Sequence, residues 1–291
     1  MFARMFVALQ YVLPRHWLTA IVYRIARIRI RALKNALIRG FVRLYNVNVD
    51  EVSLNVPADF RDFNEFFTRE LKDDARPIDM NTASIVSPVD GTVSLASELE
   101  THNILQAKGH DYSLDELFAI DLDEARAYAN GTFVTIYLAP YNYHRVHMPI
   151  AGELLTAHYV PGDLFSVNEA TVRLVPGLFR RNERLILHFK TAHGPVALVF
   201  VGALNVGSIS TPWTGKIRPR KKGVVELLDI SAAPHTLNKG DLLGWFNMGS
   251  TVILLLPAGA AKWQGSLLPG SPVRMGEPIG FLSGASANTT P

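Results

Sequence analysis

Four side chains in this chain could carry acid-base or nucleophilic chemistry, Asp90, His144, His147 and Ser250, and Ser250 stands in the least ordinary setting. The stretch Trp245-Phe246-Asn247-Met248-Gly249-Ser250-Thr251-Val252-Ile253 puts a glycine and two hydroxyls where a buried strand should be purely apolar. Gly249 has no side chain to shield its carbonyl, so Ser250 Oγ can approach the Gly249 carbonyl carbon. A bulge or turn ahead of a core strand is the plainer explanation of the same tripeptide. Asp90 lies in a Pro-x-Asp-Gly stretch, Ser87-Pro88-Val89-Asp90-Gly91, where turn chemistry alone would account for it. His144 and His147 are three residues apart. On a helix they would share a face, as two metal ligands do, and in an irregular segment they would point apart. No cysteine, no glutamate at metalloprotease spacing and no nearby third ligand accompanies them. A histidine oriented by a carboxylate could instead act as a base toward a serine, an arrangement whose convergence the sequence does not display.

The elements that would position these groups follow from composition and pattern. With 291 residues, 48% of them hydrophobic, the chain can bury a large core. It has no cysteine, so disulfides, thiolate metal sites and a cysteine nucleophile are excluded. The net charge of +3 is unevenly spread: residues 1–49 hold nine Lys/Arg and no Asp/Glu. That asymmetry points one segment toward an anionic surface. Between Trp17 and Leu44, Leu18, Ile21, Val22, Ile25 and Ile28 recur at helical spacing among Arg24, Arg27, Arg31, Lys34 and Arg39. This predicts one or two basic amphipathic helices lying in a lipid headgroup boundary rather than on nucleic acid, because apolar and aromatic residues exceed what tracking phosphates requires. The first residues do not form a signal peptide, and the chain is expected on the cytoplasmic side as a peripheral protein.

Residues 59–71 predict a short amphipathic helix, and residues 114–128 contain a second. Thr132 to Leu138, Arg184 to Phe189 and Val196 to Val201 are short, β-branched and bounded by turn residues, which predicts strands. Leu242 to Ala261 contains no charge, but Asn247, Gly249, Ser250 and Pro257 argue against a membrane span. Its aliphatic run, Val252 to Leu256, suits a buried strand. The expected fold is α+β: a β-rich, sandwich- or barrel-like catalytic body over 59–291 behind a helical membrane-associating region over 1–58, with a flexible tail from Ala285 to Pro291.

Several of these stretches together resemble the phosphatidylserine decarboxylases of bacterial type. They are Gln10-Tyr11-Val12-Leu13-Pro14-Arg15-His16-Trp17, Phe63-Asn64-Glu65-Phe66-Phe67-Thr68-Arg69-Glu70-Leu71, Ser87-Pro88-Val89-Asp90-Gly91 and Tyr143-His144-Arg145-Val146-His147-Met148-Pro149. Leu164-Phe165-Ser166-Val167-Asn168, Asn182-Glu183-Arg184, Val206-Gly207-Ser208-Ile209 and Phe246-Asn247-Met248-Gly249-Ser250-Thr251 complete the set. The resemblance spans nearly the whole chain. Met248 stands where the family is expected to have leucine and Leu254 where it often has asparagine; neither touches the four reactive residues.

The resemblance implies that the Gly249-Ser250 bond breaks itself. Ser250 Oγ would attack the Gly249 carbonyl to give an ester, and β-elimination would release residues 1–249 from 250–291. The dehydroalanine left at 250 would lose ammonia and become a pyruvoyl group, covalently part of the smaller chain. Asp90 and His147 would take the Ser250 proton, and His144 would serve the later decarboxylation of phosphatidylserine to phosphatidylethanolamine. The partners implied are phosphatidylserine, an anionic membrane surface and the two cleavage products held as a heterodimer, with further homo-oligomerisation, no metal and no nucleic acid. A His144/His147 metal-dependent hydrolase at the membrane surface is the alternative.

Overall fold

The aliphatic run becomes the strand Thr251–Leu256, and every residue of it is buried. Burial on both faces is what an unbroken apolar run requires of a central strand. It lies antiparallel between Thr132–Tyr137 and Gly194–Val201. The eight-stranded sheet built around it runs Glu226–Leu227, Glu153–Val160, Arg184–Thr191, Gly194–Val201, Thr251–Leu256, Thr132–Tyr137, Gly91–Glu98 and Pro272–Val273. A four-stranded sheet runs Gly215–Ile217, Ile209–Thr211, Leu242–Phe246 and Arg145–His147. A three-stranded and a two-stranded sheet complete the β structure. This computed structural model describes residues 2–107, 110–119, 125–205 and 207–283.

The α+β, β-rich class is as expected, but the barrel-like closure is not. Both edge strands of the large sheet are two residues long, and one carries Pro272, which has no N–H to donate, so the sheet stays open. One helix is also shorter than expected. Only Phe63–Phe67 of the segment 59–71 is helical, because Asp62 caps its start through Glu65 N at 3.0 Å and the chain then turns to bridge Leu71 with Val52. The helix expected within 114–128 is Leu114–Phe118, which ends at Ala119, in the left-handed region at φ 53°; residues 120–124, like the expected flexible tail, lie outside the described residues.

Three N-terminal helices, α1 (Phe2–Val12), α2 (Arg15–Ile25) and α3 (Arg31–Tyr45), lie on this body. Pro14 breaks α1 from α2, since it cannot donate to a helical carbonyl. Polar anchors tie the helices down: Arg15 pairs with Asp163 at 2.8 Å, Gln10 Oε1 accepts from Ser166 N at 2.8 Å, and Thr19 Oγ1 accepts from Asn205 N at 3.1 Å. A hydrophobic cluster joins Ala26, Ile38, Val47 and Val52 to Phe60, Phe63, Phe66 and Phe67. The exposed surface mixes apolar and basic side chains, with Met5, Leu9, Val12, Trp17, Ile25 and Ile30 exposed beside Arg24, Arg31 and Arg39. Among the described residues no helix is long and apolar enough to cross a membrane.

Burial sets the expected mutational costs. Leu254→Ala, in the fully buried strand, should lower unfolding free energy by about 2–5 kcal/mol, whereas Leu268→Ala, at an exposed position, should change it by less than about 0.5 kcal/mol; urea denaturation followed by circular dichroism measures both.

Candidate active site

The Gly249-Ser250 step is where the chain leaves one sheet and enters another. Leu242–Phe246 belongs to the four-stranded sheet and Thr251–Leu256 to the eight-stranded one, with only Asn247 to Ser250 between them. The switch is clamped. Asn247 N donates to Ser208 O at 3.0 Å, and its side-chain Nδ2 donates to Ser208 O at 3.1 Å and Ser210 Oγ at 3.0 Å. Asn247 Oδ1 accepts from Asn64 Nδ2 at 3.0 Å and from Arg27 Nη2 at 3.3 Å. A buried amide with its partners supplied on both ends fixes the backbone around it. On the far side Leu138 N donates to Ser250 O at 2.8 Å, and Thr251 sits opposite Tyr137.

Strand register brings the other motifs to this point. Arg145–His147 pairs with Leu242–Phe246, Trp245 opposite Arg145 and Leu242 opposite His147, and Phe246 N donates to His144 O at 3.1 Å. Tyr137 is the partner of Thr251 on one side and of Thr92 on the other, which places the Ser87 to Asp90 turn beside the same strand. Gly91 is required there: an added Cβ would lie 2.5 Å from Tyr137 O. His147 N donates to Pro88 O at 2.8 Å, tying the turn to the histidine.

His147 closes the strand Arg145–His147 and His144 immediately precedes it, and the two rings meet different neighbours, Tyr143 for His147 and Phe67 for His144. His144 is fully buried, its ring centroid 4.1 Å from that of Phe67. Its Nδ1 contacts Asn142 O at 2.8 Å. A carbonyl only accepts, so Nδ1 carries the proton and Nε2 holds a lone pair. Nε2 has no hydrogen-bond partner among the described residues, and a Cβ placed on Gly249 would be 3.5 Å from it. Burial, aided by the Arg69 charge and opposed by the Asn142 bond, pushes the His144 pKa down to about 3. Ser250 Oγ is likewise fully buried and without a partner.

His147 and Asp90 are differently engaged. His147 Nδ1 donates to Gly240 O at 2.8 Å, so its Nε2 accepts from the Tyr143 hydroxyl at 3.1 Å. Burial lowers the His147 pKa, while the Gly240 bond and the nearby Asp90 charge oppose that shift. Asp90 takes a two-point contact from Arg76, Nε to Oδ1 at 2.8 Å and Nη2 to Oδ2 at 2.6 Å, and Met275 N donates to Oδ1 at 2.9 Å. The structure thus brings His144 to the Gly249-Ser250 step. It ties Asp90 to His147 through the backbone, with no side-chain bond between them and none from His147 to Ser250. Arg76, Tyr143, Asn64 and Asn247 are contributors that pattern reasoning did not assign. Asn247 alone had a signal, as an amide inside an uncharged stretch.

A cavity of about 210 Å³ opens on Gly249, walled by Phe41 and Tyr45 of α3, Phe67, Tyr137, Pro140 and Met248 among others, with no charged residue in its lining. Among the described residues no group of three His, Asp or Glu side chains is arranged to hold a metal.

Comparison with known proteins agrees over most of the chain. Residues 63–281 match the family described as Phosphatidylserine decarboxylase, and residues 5–46 match one described as PSD. The phosphatidylserine decarboxylase proenzyme of Hahella chejuensis is 43% identical over 97% of this chain and 95% of its own length. The proenzymes of Alcanivorax borkumensis and Pseudomonas fluorescens are each 45% identical, covering 95% and 96% of this chain and 96% and 97% of their own lengths.

The neutral buried His144 links this site to acid stability. An unfolded histidine titrates near its ordinary 6.5 while the folded one stays neutral down to about 3. The unfolded state therefore binds the extra proton, and stability is lost as pH falls below 6.5, by about 1.4 kcal/mol per pH unit for one proton. The drop in unfolding free energy between pH 7 and pH 5 should be smaller for His144→Leu than for wild type, by urea denaturation at each pH.

Proposed function

This chain belongs to the phosphatidylserine decarboxylase family and decarboxylates phosphatidylserine, and we propose that it does so through a pyruvoyl group made from its own Ser250. The observation that carries the reading is the pair of buried, unpartnered atoms at one peptide bond, Ser250 Oγ and His144 Nε2. A buried polar atom without a partner costs about 1–3 kcal/mol. Ser208 Oγ and Thr251 Oγ1 are also unpartnered near this switch, but only Ser250 Oγ adjoins the carbonyl of the Gly249 that faces the free His144 nitrogen. The relatives' description as proenzymes agrees with a self-processing chain.

In the proposed processing step Ser250 Oγ adds to the Gly249 carbonyl carbon and the chain parts between the two residues. Asn247 and the Leu138 to Ser250 hydrogen bond hold the attacking and attacked residues in one register. Asp90 and His147 are the proposed pair for the Ser250 proton. Supporting this, Pro88 O holds the His147 backbone, and the Asp90 charge favours protonated His147. Tyr143, whose pKa is pushed up to about 12 chiefly by burial, keeps its proton and would have to release His147 Nε2. A second allocation has its own observation: the free lone pair of His144 beside Gly249 could take that proton directly.

A ketone at position 250 supplies an electrophile for the substrate's amine and a sink for the electron pair left when carbon dioxide departs. His144 Nε2, its lone pair free beside Gly249, is the proposed acid-base group of this stage, and it takes a proton only once the charge of the entering substrate raises its depressed pKa. The uncharged wall of the Gly249 cavity offers the substrate carboxylate no ion pair, which favours the charge leaving. At about 210 Å³ the cavity is too small for the acyl chains, which would stay outside, in the layer that the exposed apolar side chains of α1 to α3 would enter. We place the enzyme peripherally on an anionic cytoplasmic membrane face, residues 1–58 forming the membrane-contacting region and 59–291 the catalytic body. The two products remain together, because Thr251–Leu256 is hydrogen-bonded between strands of the larger fragment, and assemble further as homo-oligomers. A metal-dependent hydrolase finds no support: the relatives are decarboxylases, and His147 Nε2, the nitrogen left for a metal, accepts from the Tyr143 hydroxyl.

Denaturing electrophoresis together with carbon dioxide release from phosphatidylserine separates the roles. Ser250→Ala should abolish both splitting and turnover. His147→Ala and Asp90→Asn should block splitting, whereas His144→Ala should leave splitting largely intact and lower turnover by at least about 100-fold. Loss of splitting in His144→Ala with retention in His147→Ala would reverse the allocation.

A further inference from the structure

A second cavity, of about 590 Å³, lies on the other flank of the sheet switch and shares no lining residue with the one at Gly249. Arg27, Arg29, Arg61, Arg69, Arg145 and Lys216 supply its positive charge. Its three carboxylates are neutralised locally: Asp62 lies 3.9 Å from Arg29 and 3.6 Å from Arg61, Glu65 lies 3.6 Å from Arg61, and Glu70 pairs with Arg145 at 2.9 Å. Arg27, Arg69 and Lys216 have no ion pair among the described residues. Arg27 donates to Tyr23 O and Asn247 Oδ1, and Lys216 Nζ donates to the Tyr23 hydroxyl at 2.8 Å. Arg69 is only 5% exposed; its Nη2 donates to Tyr141 O at 2.9 Å, while its Nε and Nη1 have no hydrogen-bond partner among the described residues. A buried guanidinium with two of its nitrogens unpartnered and no ion pair is costly, and an anion in the cavity would offset that cost.

We propose that this cavity binds the phosphodiester headgroup of an anionic phospholipid, as an anchoring site separate from the one where substrate reacts. Guanidinium groups match phosphate oxygens in charge and geometry. The volume falls within the roughly 300–1,000 Å³ of small-molecule sites, so it accommodates a glycerophosphate headgroup and not merely a phosphate ion. Location favours lipid over a free ion. Arg27 and Arg29 sit between α2 and α3, flanked by exposed Ile25, Ile30 and Leu33, so cations and apolar side chains would meet the bilayer boundary together. The inference rests on the proposed membrane-contacting role of the N-terminal helices.

Calorimetric titration of the full chain with sn-glycero-3-phosphoglycerol, and separately with inorganic phosphate, tests the site. The headgroup should bind at least about ten-fold more tightly than phosphate, and Arg27→Gln and Lys216→Gln should each weaken it by about ten-fold. Lys216 is exposed, so its variant reports on the site even if Arg27→Gln folds poorly. Equal affinity for phosphate overturns the lipid assignment; absence of headgroup binding, or binding unchanged in Lys216→Gln, overturns the site. Co-sedimentation with phosphatidylcholine vesicles, with and without phosphatidylglycerol, separates the two readings. Sedimentation without headgroup binding defeats the site and leaves the membrane role standing. Headgroup binding with no sedimentation on either vesicle defeats the membrane role, and the anchoring role with it.

Discussion

The arrangement depends on one constraint: a strand that must be buried on both faces begins immediately after the chain has crossed from one sheet to another. Thr251–Leu256 is held between two long partners, so Ser250 cannot shift without disturbing the largest sheet. Leu242–Phe246 is held by Ile209–Thr211 and by the strand carrying His147. The residues between have little slack, and Asn247 uses its whole amide to fix what remains. A peptide bond gripped on both sides can be presented to a nucleophile in its own next residue, a form of preorganisation that a mobile loop would not supply.

Burial then does for electrostatics what register does for geometry. Around the switch the histidines are kept neutral, His144 most strongly, and each tautomer is set by a backbone carbonyl. Charges are held at one remove: Arg76 takes Asp90 and Glu51, while Arg69 donates to the Tyr141 carbonyl and has no ion pair among the described residues. On one flank the cavity at Gly249 is free of charged groups; on the other the cavity beside Asn247 is rich in them. One short segment thus separates an environment suited to losing a carboxylate from one suited to holding a phosphodiester.

How much of this was legible depended on whether a feature is local. The strand after Ser250 could be read because burial on both faces leaves an unbroken aliphatic run, and α2 and α3 because one apolar face repeats every three to four residues. The helix 59–71 was overdrawn. Its phenylalanines signal burial, yet Phe60 lies before the Asp62 cap and Arg69 beyond the helix end, and both are buried by tertiary packing. The barrel-like closure failed for a reason set by edge strands of two residues. The spacing of His144 and His147 was ambiguous until the structure showed a strand and not a helix, with one ring at Gly249 and the other at Tyr143. The pairings of Arg76 with Asp90 and of Asn64 with Asn247 join residues 14 and 183 positions apart, and no periodicity encodes them.

The central claim is that Ser250 is the precursor of a cofactor and not a nucleophile of turnover. Intact-mass spectrometry of the purified active protein measures this most directly. Two chains ending at Gly249 and beginning at position 250 are predicted, the smaller one refractory to Edman sequencing and reactive toward a hydroxylamine carbonyl probe. A single unsplit chain of 32.2 kDa in fully active protein, with no carbonyl reactivity, would contradict it.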